Sequence, residues 1–317
     1  MALFLLRRFL LVGPVLLGVS IVVFAVLHLS PGDPAEIMLG PQATHDDISR
    51  LRTELGLDEP LPVQYARWMG RVLQGDLGRS LWMKRPVLGE VLRRFQATVI
   101  LTASALLLST LGGIALGVLS AARRNSLADR LSALASLFGA SMPSFWLGIV
   151  LMVIFALWLG WLPASGMFAP YGGGGVGDLL SHLMLPTITL AAASLTIIAR
   201  LTRSTMLDVL GQDYVRTARA KGVRESFVVV RHALRNALIP TVTVVGLGFG
   251  ALVSGAVVVE TIFALPGLGR LTATALLNRD YPLIQAILMF VAMIFIVMNL
   301  LVDLAYAYLD PRLRLRY

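Results

Sequence analysis

Six stretches of apolar residues, bare of Asp, Glu, Lys and Arg, divide this chain into spans and connections. They are Phe9–Leu27, Ala97–Ala122, Leu131–Trp161, Leu183–Ala199, Ala237–Val259 and Tyr281–Val302. About 20 apolar residues carry a helix across the hydrocarbon core of a bilayer. The pattern predicts six transmembrane helices and an all-α membrane protein. Pro143 and Pro186 fall within or near the start of spans, which membrane helices tolerate better than soluble ones.

Charge sets the orientation. Of 27 Lys and Arg, sixteen lie on the side of the N-terminus if the spans alternate. Most of the remainder sit in the long segment 30–96, and long segments cross a membrane despite their charge. The short loop 162–182 has none, and 263–280 has only Arg270 and Arg279. The bias places both termini in the cytoplasm. Arg7 and Arg8 before an apolar run also resemble a signal peptide, but the run is longer than a signal core and no small-x-small cleavage site precedes Pro31. The first span reads as an uncleaved anchor over 1–29.

Segment 30–96 reads as an exterior region of short helices. Asp46–Leu55 and Pro62–Leu73 have helical patterning, with Val63, Trp68 and Val72 on one face of the second. Trp68 and Trp82 read as interface anchors. A five-helix core follows over 97–307, with a cytoplasmic loop at 204–236, and a cytoplasmic tail at 308–317. The tract Gly172–Gly177 reads as a flexible exterior loop, because no Gly-Lys-Ser/Thr follows it.

Composition agrees: 57% of residues are hydrophobic and 14% charged, against about 25% charged in soluble domains. The net charge of +9 lies in the connections, so topology explains it without a nucleic-acid partner. With no cysteine, disulfides, thiolate metal sites and cysteine nucleophiles are excluded. His28, His45, His182 and His232 have no ligand spacing, so no metal site is expected. No catalytic residue is expected either. Glu260 and Asp303 lie near span ends, where either reaches an interface.

The loop Leu207–Pro240 is too long for a simple connector. Asp213 is read as heading a helix over Tyr214–Lys221, which Gly222 ends as a left-handed cap. Ala218 and Ala220 leave room for close approach of another surface. A second amphipathic helix is expected, with Phe227, Val230, Leu234 and Leu238 on one face and Arg231 and Arg235 on another. A short, small-faced helix outside the membrane suits a groove on a soluble partner. In span five, Gly246, Gly248, Gly250 and Gly255 are candidates for lining a translocation path or for helix packing.

The run Asp213-Tyr214-Val215-Arg216-Thr217-Ala218-Arg219-Ala220-Lys221-Gly222, followed by Arg231-His232-Ala233-Leu234-Arg235-Asn236-Ala237-Leu238, resembles the integral permeases of ATP-binding-cassette importers. More narrowly it resembles the dipeptide/oligopeptide/nickel permease family. Pro31-Gly32-Asp33-Pro34, Gly75-Asp76-Leu77-Gly78-Arg79-Ser80 and Leu162-Pro163-Ala164-Ser165-Gly166 resemble it too. So do Glu260-Thr261-Ile262-Phe263, Pro266-Gly267-Leu268-Gly269-Arg270 and Leu309-Asp310-Pro311-Arg312. The likeness runs end to end. Arg216 stands where the broader family's loop signature has Glu, and Pro240 comes five residues late.

The resemblance implies the six-helix fold of type I importer permeases and a helix that docks into a cytoplasmic ATPase. It assigns coupling to Asp213, Tyr214, Thr217, Ala218, Ala220 and Gly222, with Asp213 a substitute for the missing acid at 216. It implies a second, related permease, two ATP-binding subunits that hold ATP and Mg, and a periplasmic substrate-binding protein. It places the chain in a bacterial inner membrane as a pathway for di- or oligopeptides. The alternatives are a stand-alone secondary transporter or channel, for which inverted repeats and midplane charges are not evident, and a membrane-embedded enzyme. There is no GxxxxGK[ST] nucleotide motif, so energy must come from another polypeptide.

Overall fold

The computed structural model describes residues 2–29, 34–39, 43–169 and 174–309, and the side chains of 2–9, 26–29, 302–309 and several single positions within them, including those of His28 and Asp303, lie outside the description. The expected motif residues Pro31–Asp33, residues 170–173 around the start of the glycine tract and residues 310–317 of the tail also lie outside it. Thirteen helices are described, in chain order: α1 (Ala2–Leu29), α2 (Pro34–Leu39), α3 (His45–Leu55), α4 (Leu61–Leu73), α5 (Val87–Ala122), α6 (Leu127–Ser141), α7 (Ser144–Leu151), α8 (Val176–Leu210), α9 (Asp213–Ala220), α10 (Glu225–Phe227), α11 (Arg235–Ile262), α12 (Leu268–Leu277) and α13 (Tyr281–Leu309). π-helical turns at Met152–Trp158 and Val228–Leu234 extend α7 and join α10 to α11. No strand occurs among the described residues beyond an isolated bridge, Arg79 to Pro86.

Val87–Ala122, Val176–Leu210, Glu225–Gly246 and Tyr281–Leu301 are each long and apolar enough to cross a bilayer. Leu127–Gly139 with Ser144–Trp158 makes another span if the bent pair, at 110°, is taken as one. α1 is a continuous helix of 28 residues, with a shorter apolar window at Leu10–Ala25. Large apolar side chains such as Leu107, Leu111, Leu137 and Trp158 stay exposed on these helices. In water such a surface is costly, while in lipid it is at rest.

Several helices outrun the apolar runs that predicted them. α5 starts ten residues before Ala97 and α8 seven before Leu183, because polar residues at a span end prolong a helix beyond the hydrocarbon. The bend between α6 and α7 follows from Pro143: Met142 takes an extended conformation (φ −84, ψ 128), as a residue before proline prefers. A helix not foreseen, α12, occupies the loop after span five.

The chain divides into two compact units, Met1–Phe95 with Leu271–Tyr317, and Gln96–Arg270. In the first, α1 packs on α13 and touches α4. Phe24 meets Tyr65 edge-on at 5.4 Å and Trp68 at 5.9 Å, and the Ser20 and Tyr65 hydroxyls share a 2.7 Å hydrogen bond. Trp68 is half-buried in this cluster, while Trp82 stays exposed. The short exterior helices have the expected signals. Thr44 and Asp47 form a capping box on α3, and Gly56 ends it at φ 69. Asp280 ties the Gly75–Ser80 motif to the start of α13: its carboxylate accepts from the Ser80 hydroxyl and the Trp82 and Leu283 N–H groups.

In the second unit α8 is the centre, packed by α6, α7 and α11. Leu101, Leu183, Leu185, Leu190, Leu252 and Phe263 form its main core. A smaller cluster of Ala121, Met206, Val229, Ala233 and Ala237 lies toward the end of α8. Gly117 allows the approach of α5 to α8, since a Cβ there would lie 2.6 Å from Thr202 Cβ and 2.7 Å from the Ala199 carbonyl oxygen.

Candidate functional site: an exposed helix beyond the end of α8

α9 follows α8 after a two-residue break and runs Asp213–Ala220. The N-cap is Gln212, which makes no side-chain cap bond, so Asp213 is the first helical residue and not the cap. Its carboxylate suits the positive end of the helix from that position. It is 96% exposed and reaches Arg216 only loosely, at 3.6 Å. The far end is a Schellman stop. Gly222 N–H donates to the Arg219 oxygen at 2.9 Å and Val223 N–H to the Ala218 oxygen at 3.3 Å, with Gly222 at φ 76. The left-handed glycine cap read from the sequence is present.

α9 lies against the π-helical turn Val228–Leu234 and buries Val215. Tyr214 ties it there: its hydroxyl donates to the His232 carbonyl at 3.4 Å and accepts from Asn236 Nδ2 at 2.8 Å. Arg219 holds Glu225 across the turn with bonds of 2.7 and 3.1 Å, and that carboxylate raises the guanidinium pKa above its ordinary value. Asp213, Thr217, Ala220 and Gly222 remain exposed, Tyr214 is 43% exposed, and Ala218 is half-buried. The helix is therefore fixed at both ends and open along its outer face. Asn236, His232 and Glu225 complete this arrangement. Their roles here are not readable from the sequence, because they depend on contacts 6 to 22 residues away.

The second amphipathic helix is not a separate element. Glu225 onward runs through the π turn into α11. Its buried positions are Val228, Val229, Ala233 and Ala237, whereas Phe227 and Val230 are exposed. The extra residue of a π turn shifts the apolar face, which a 3.6-residue period does not anticipate.

The span-five glycines separate in the structure. A Cβ on Gly255 would meet Leu190 Cδ1 at 3.0 Å, the close helix approach small residues permit. A Cβ on Gly248 would meet nothing within 4 Å, and Gly248 lines a cavity of about 60 Å³ with Ser109 and Ser194. Gly250 is buried and Gly246 half-buried.

Two buried carboxylates brace the unit. Asp129 on α6 accepts from Arg203 of α8 through Nε at 2.8 Å and a second nitrogen at 3.0 Å. It also accepts from the Ser120 hydroxyl and from Asn125 N–H at 2.9 Å. Glu260, fully buried, accepts from the Thr98 hydroxyl at 2.6 Å, Gly269 N–H at 2.7 Å and Arg270 N–H at 3.2 Å. It caps the start of α12, which gives this acid a structural duty. The motif Leu162–Gly166 joins the same corner, with Gly166 N–H donating to the Phe263 oxygen at 2.8 Å. Among the described residues, no group of three or more His, Asp or Glu could hold a metal ion.

Comparison with known proteins agrees with this architecture. Residues 113–315 match the family described as binding-protein-dependent transport system inner membrane component, and residues 1–102 match its N-terminal companion. The chain is 46% identical to the glutathione transport system permease protein GsiC of Salmonella paratyphi A, over 98% of each chain. It is 42% identical to a probable peptide ABC transporter permease, y4tP, of Sinorhizobium fredii, over 99% of this chain and 100% of that one. It is 45% identical to the dipeptide transport system permease protein DppB of Alkalihalophilus pseudofirmus, over 97% and 98%. A solved inward-facing structure of the MetNI methionine ABC transporter shares the fold, with TM-score 0.57, 16% identity and coverage of 69% of this chain and 96% of that one. The chain belongs to the family of inner membrane components of binding-protein-dependent transport systems, the multi-pass permease subunits of ABC importers.

Proposed function

We propose that this chain forms half of the pathway for small peptides, glutathione included, and that α9 couples it to a cytoplasmic ATPase. The observation that carries the coupling role is the form of α9: an eight-residue helix tethered through Tyr214 and stopped at Gly222, with its outer face open. A rigid helix held at both ends transmits displacement to the spans it is tied to, here α8 and α11, whereas a flexible loop would absorb it. Asp213, Tyr214, Thr217, Ala218, Ala220 and Gly222 form the coupling element, and Arg216 stands on the same exposed surface. Gly248, with Gly246 and Gly250, belongs to the path, and Gly255 to helix packing.

The partners in this reading are a related second permease, two ATP-binding subunits that hold ATP and Mg, and a periplasmic binding protein. Both termini face the cytoplasm, as the Lys and Arg bias requires. This chain supplies pathway and coupling, and hydrolysis occurs in the ATPases.

The test is reconstitution of the co-expressed complex in liposomes with its binding protein. Uptake of labelled glutathione or a dipeptide that depends on ATP supports the reading. Uptake by this chain alone without ATP contradicts it.

A further inference from the structure

We propose that a cavity between α6 and α8 binds the phosphate headgroup of an anionic phospholipid. The cavity measures about 730 Å³ and is lined by residues of both helices together with Ser120 at the end of α5. Three arginines face it: Arg130, Arg200 and Arg203. Arg203 is neutralised by Asp129 at 2.8 Å. Arg130 and Arg200 are exposed, and neither has an ion-pair partner among the described residues. Two uncompensated cations therefore share one cavity.

The remaining wall suits a lipid better than a soluble anion. Leu134 and Leu137 line it while 51% and 60% exposed, so they offer an apolar track beside the arginines. Ser132 adds a hydroxyl at the rim. Depth agrees: Arg200 follows directly on the apolar run Leu183–Ala199, and Arg130 lies in the opening turns of α6 behind the Ser126 cap. Both stand where hydrocarbon gives way to headgroups, and anionic headgroups attract Lys and Arg at that level. Free phosphate shares the charge complementarity but makes no use of the leucine track.

The inference rests on the orientation proposed above, so the experiment reads the two separately. The chain has no native cysteine, and Ser132→Cys in the assembled transporter reports access to the cavity. Labelling by a membrane-impermeant maleimide in inside-out vesicles alone upholds the orientation, and labelling from the other face alone overturns it. The site is read by native mass spectrometry of the complex in mild detergent with equal phosphatidylglycerol and phosphatidylcholine. Phosphatidylglycerol is retained preferentially in the wild type. Arg130→Gln with Arg200→Gln weakens that retention about 25-fold, at about fivefold per arginine, whereas Arg123→Gln with Arg124→Gln leaves it unchanged. Equal retention in the Arg130/Arg200 variant overturns the site. Displacement by millimolar inorganic phosphate without lipid retention assigns it to a soluble anion and overturns the lipid. A cysteine at 132 that reacts in the isolated chain but not in the complex, with no lipid retained, shows that a partner subunit covers the cavity and overturns it as well.

Discussion

Replacing Gly222 with Val attacks the stop of α9 while leaving its surroundings alone. Gly222 sits at φ 76, and a Cβ there would meet nothing within 4 Å. The cost is therefore chiefly conformational, since the added Cβ meets no neighbour. An L-residue in the left-handed region costs about 1–2 kcal/mol, and a β-branched residue lies at the upper end. That corresponds to a shift of about 5–30-fold against the capped conformation. Because Gly222 is exposed and remote from the core around Leu101 and Phe263, the loss falls on α9 alone. Uptake in liposomes should drop severalfold or more, with expression, thermal unfolding in detergent and recovery of the second permease unchanged. Gly222→Asn, which tolerates the left-handed region, should retain most activity. Normal transport by Gly222→Val, or equal damage from Asn and Val, would refute the reasoning.

Arg203→Ala leaves the Asp129 carboxylate buried with Ser120 and Asn125 as its remaining partners. Breaking a buried pair costs about 3–5 kcal/mol, and the low end applies because the Arg203 side chain is 37% exposed. A thermal shift of a degree or less in detergent would contradict that. At the α12 corner, Glu260→Gln should cost about 1–2 kcal/mol, as for a lost helix cap. Gly269→Ala should cost more, since its Cβ would fall onto the Val257 backbone, and an inverted order of melting temperatures would reject this packing. By contrast Glu225→Gln, which removes a pair 42% and 59% exposed, should cost no more than about 1 kcal/mol. The difference should shrink further at high salt, and a salt-independent loss would show that Glu225 does more than hold Arg219.

Much of this arrangement was legible before any coordinates. Uncharged runs of bilayer length marked the spans, since a lipid-facing helix must be apolar all round. Gly222 marked the stop of α9 because few residues adopt a positive φ. What stayed hidden depends on contacts distant in sequence. Tyr214 was placed in the coupling helix, but its tether to Asn236 and His232 was not foreseen, and Asp280 reads as a surface acid until Ser80 donates to it. Glu260 looked like a span-end charge because its role needs Thr98, 162 residues away. The burial of Val228 and Val229 in place of Phe227 and Val230 was illegible because a π turn breaks the helical period.

The most direct test of the central claim is a cross-link from α9. Ala220 is exposed on its open face, and Ala220→Cys is a single reactive site in a chain without cysteine. In the assembled complex, paired with cysteines placed in the groove of a co-expressed ATPase, it should form a disulfide whose yield changes when ATP is added. No cross-link from Ala220 or Thr217 to any ATPase, in a complex that still transports, would contradict the assignment of α9 as the coupling helix.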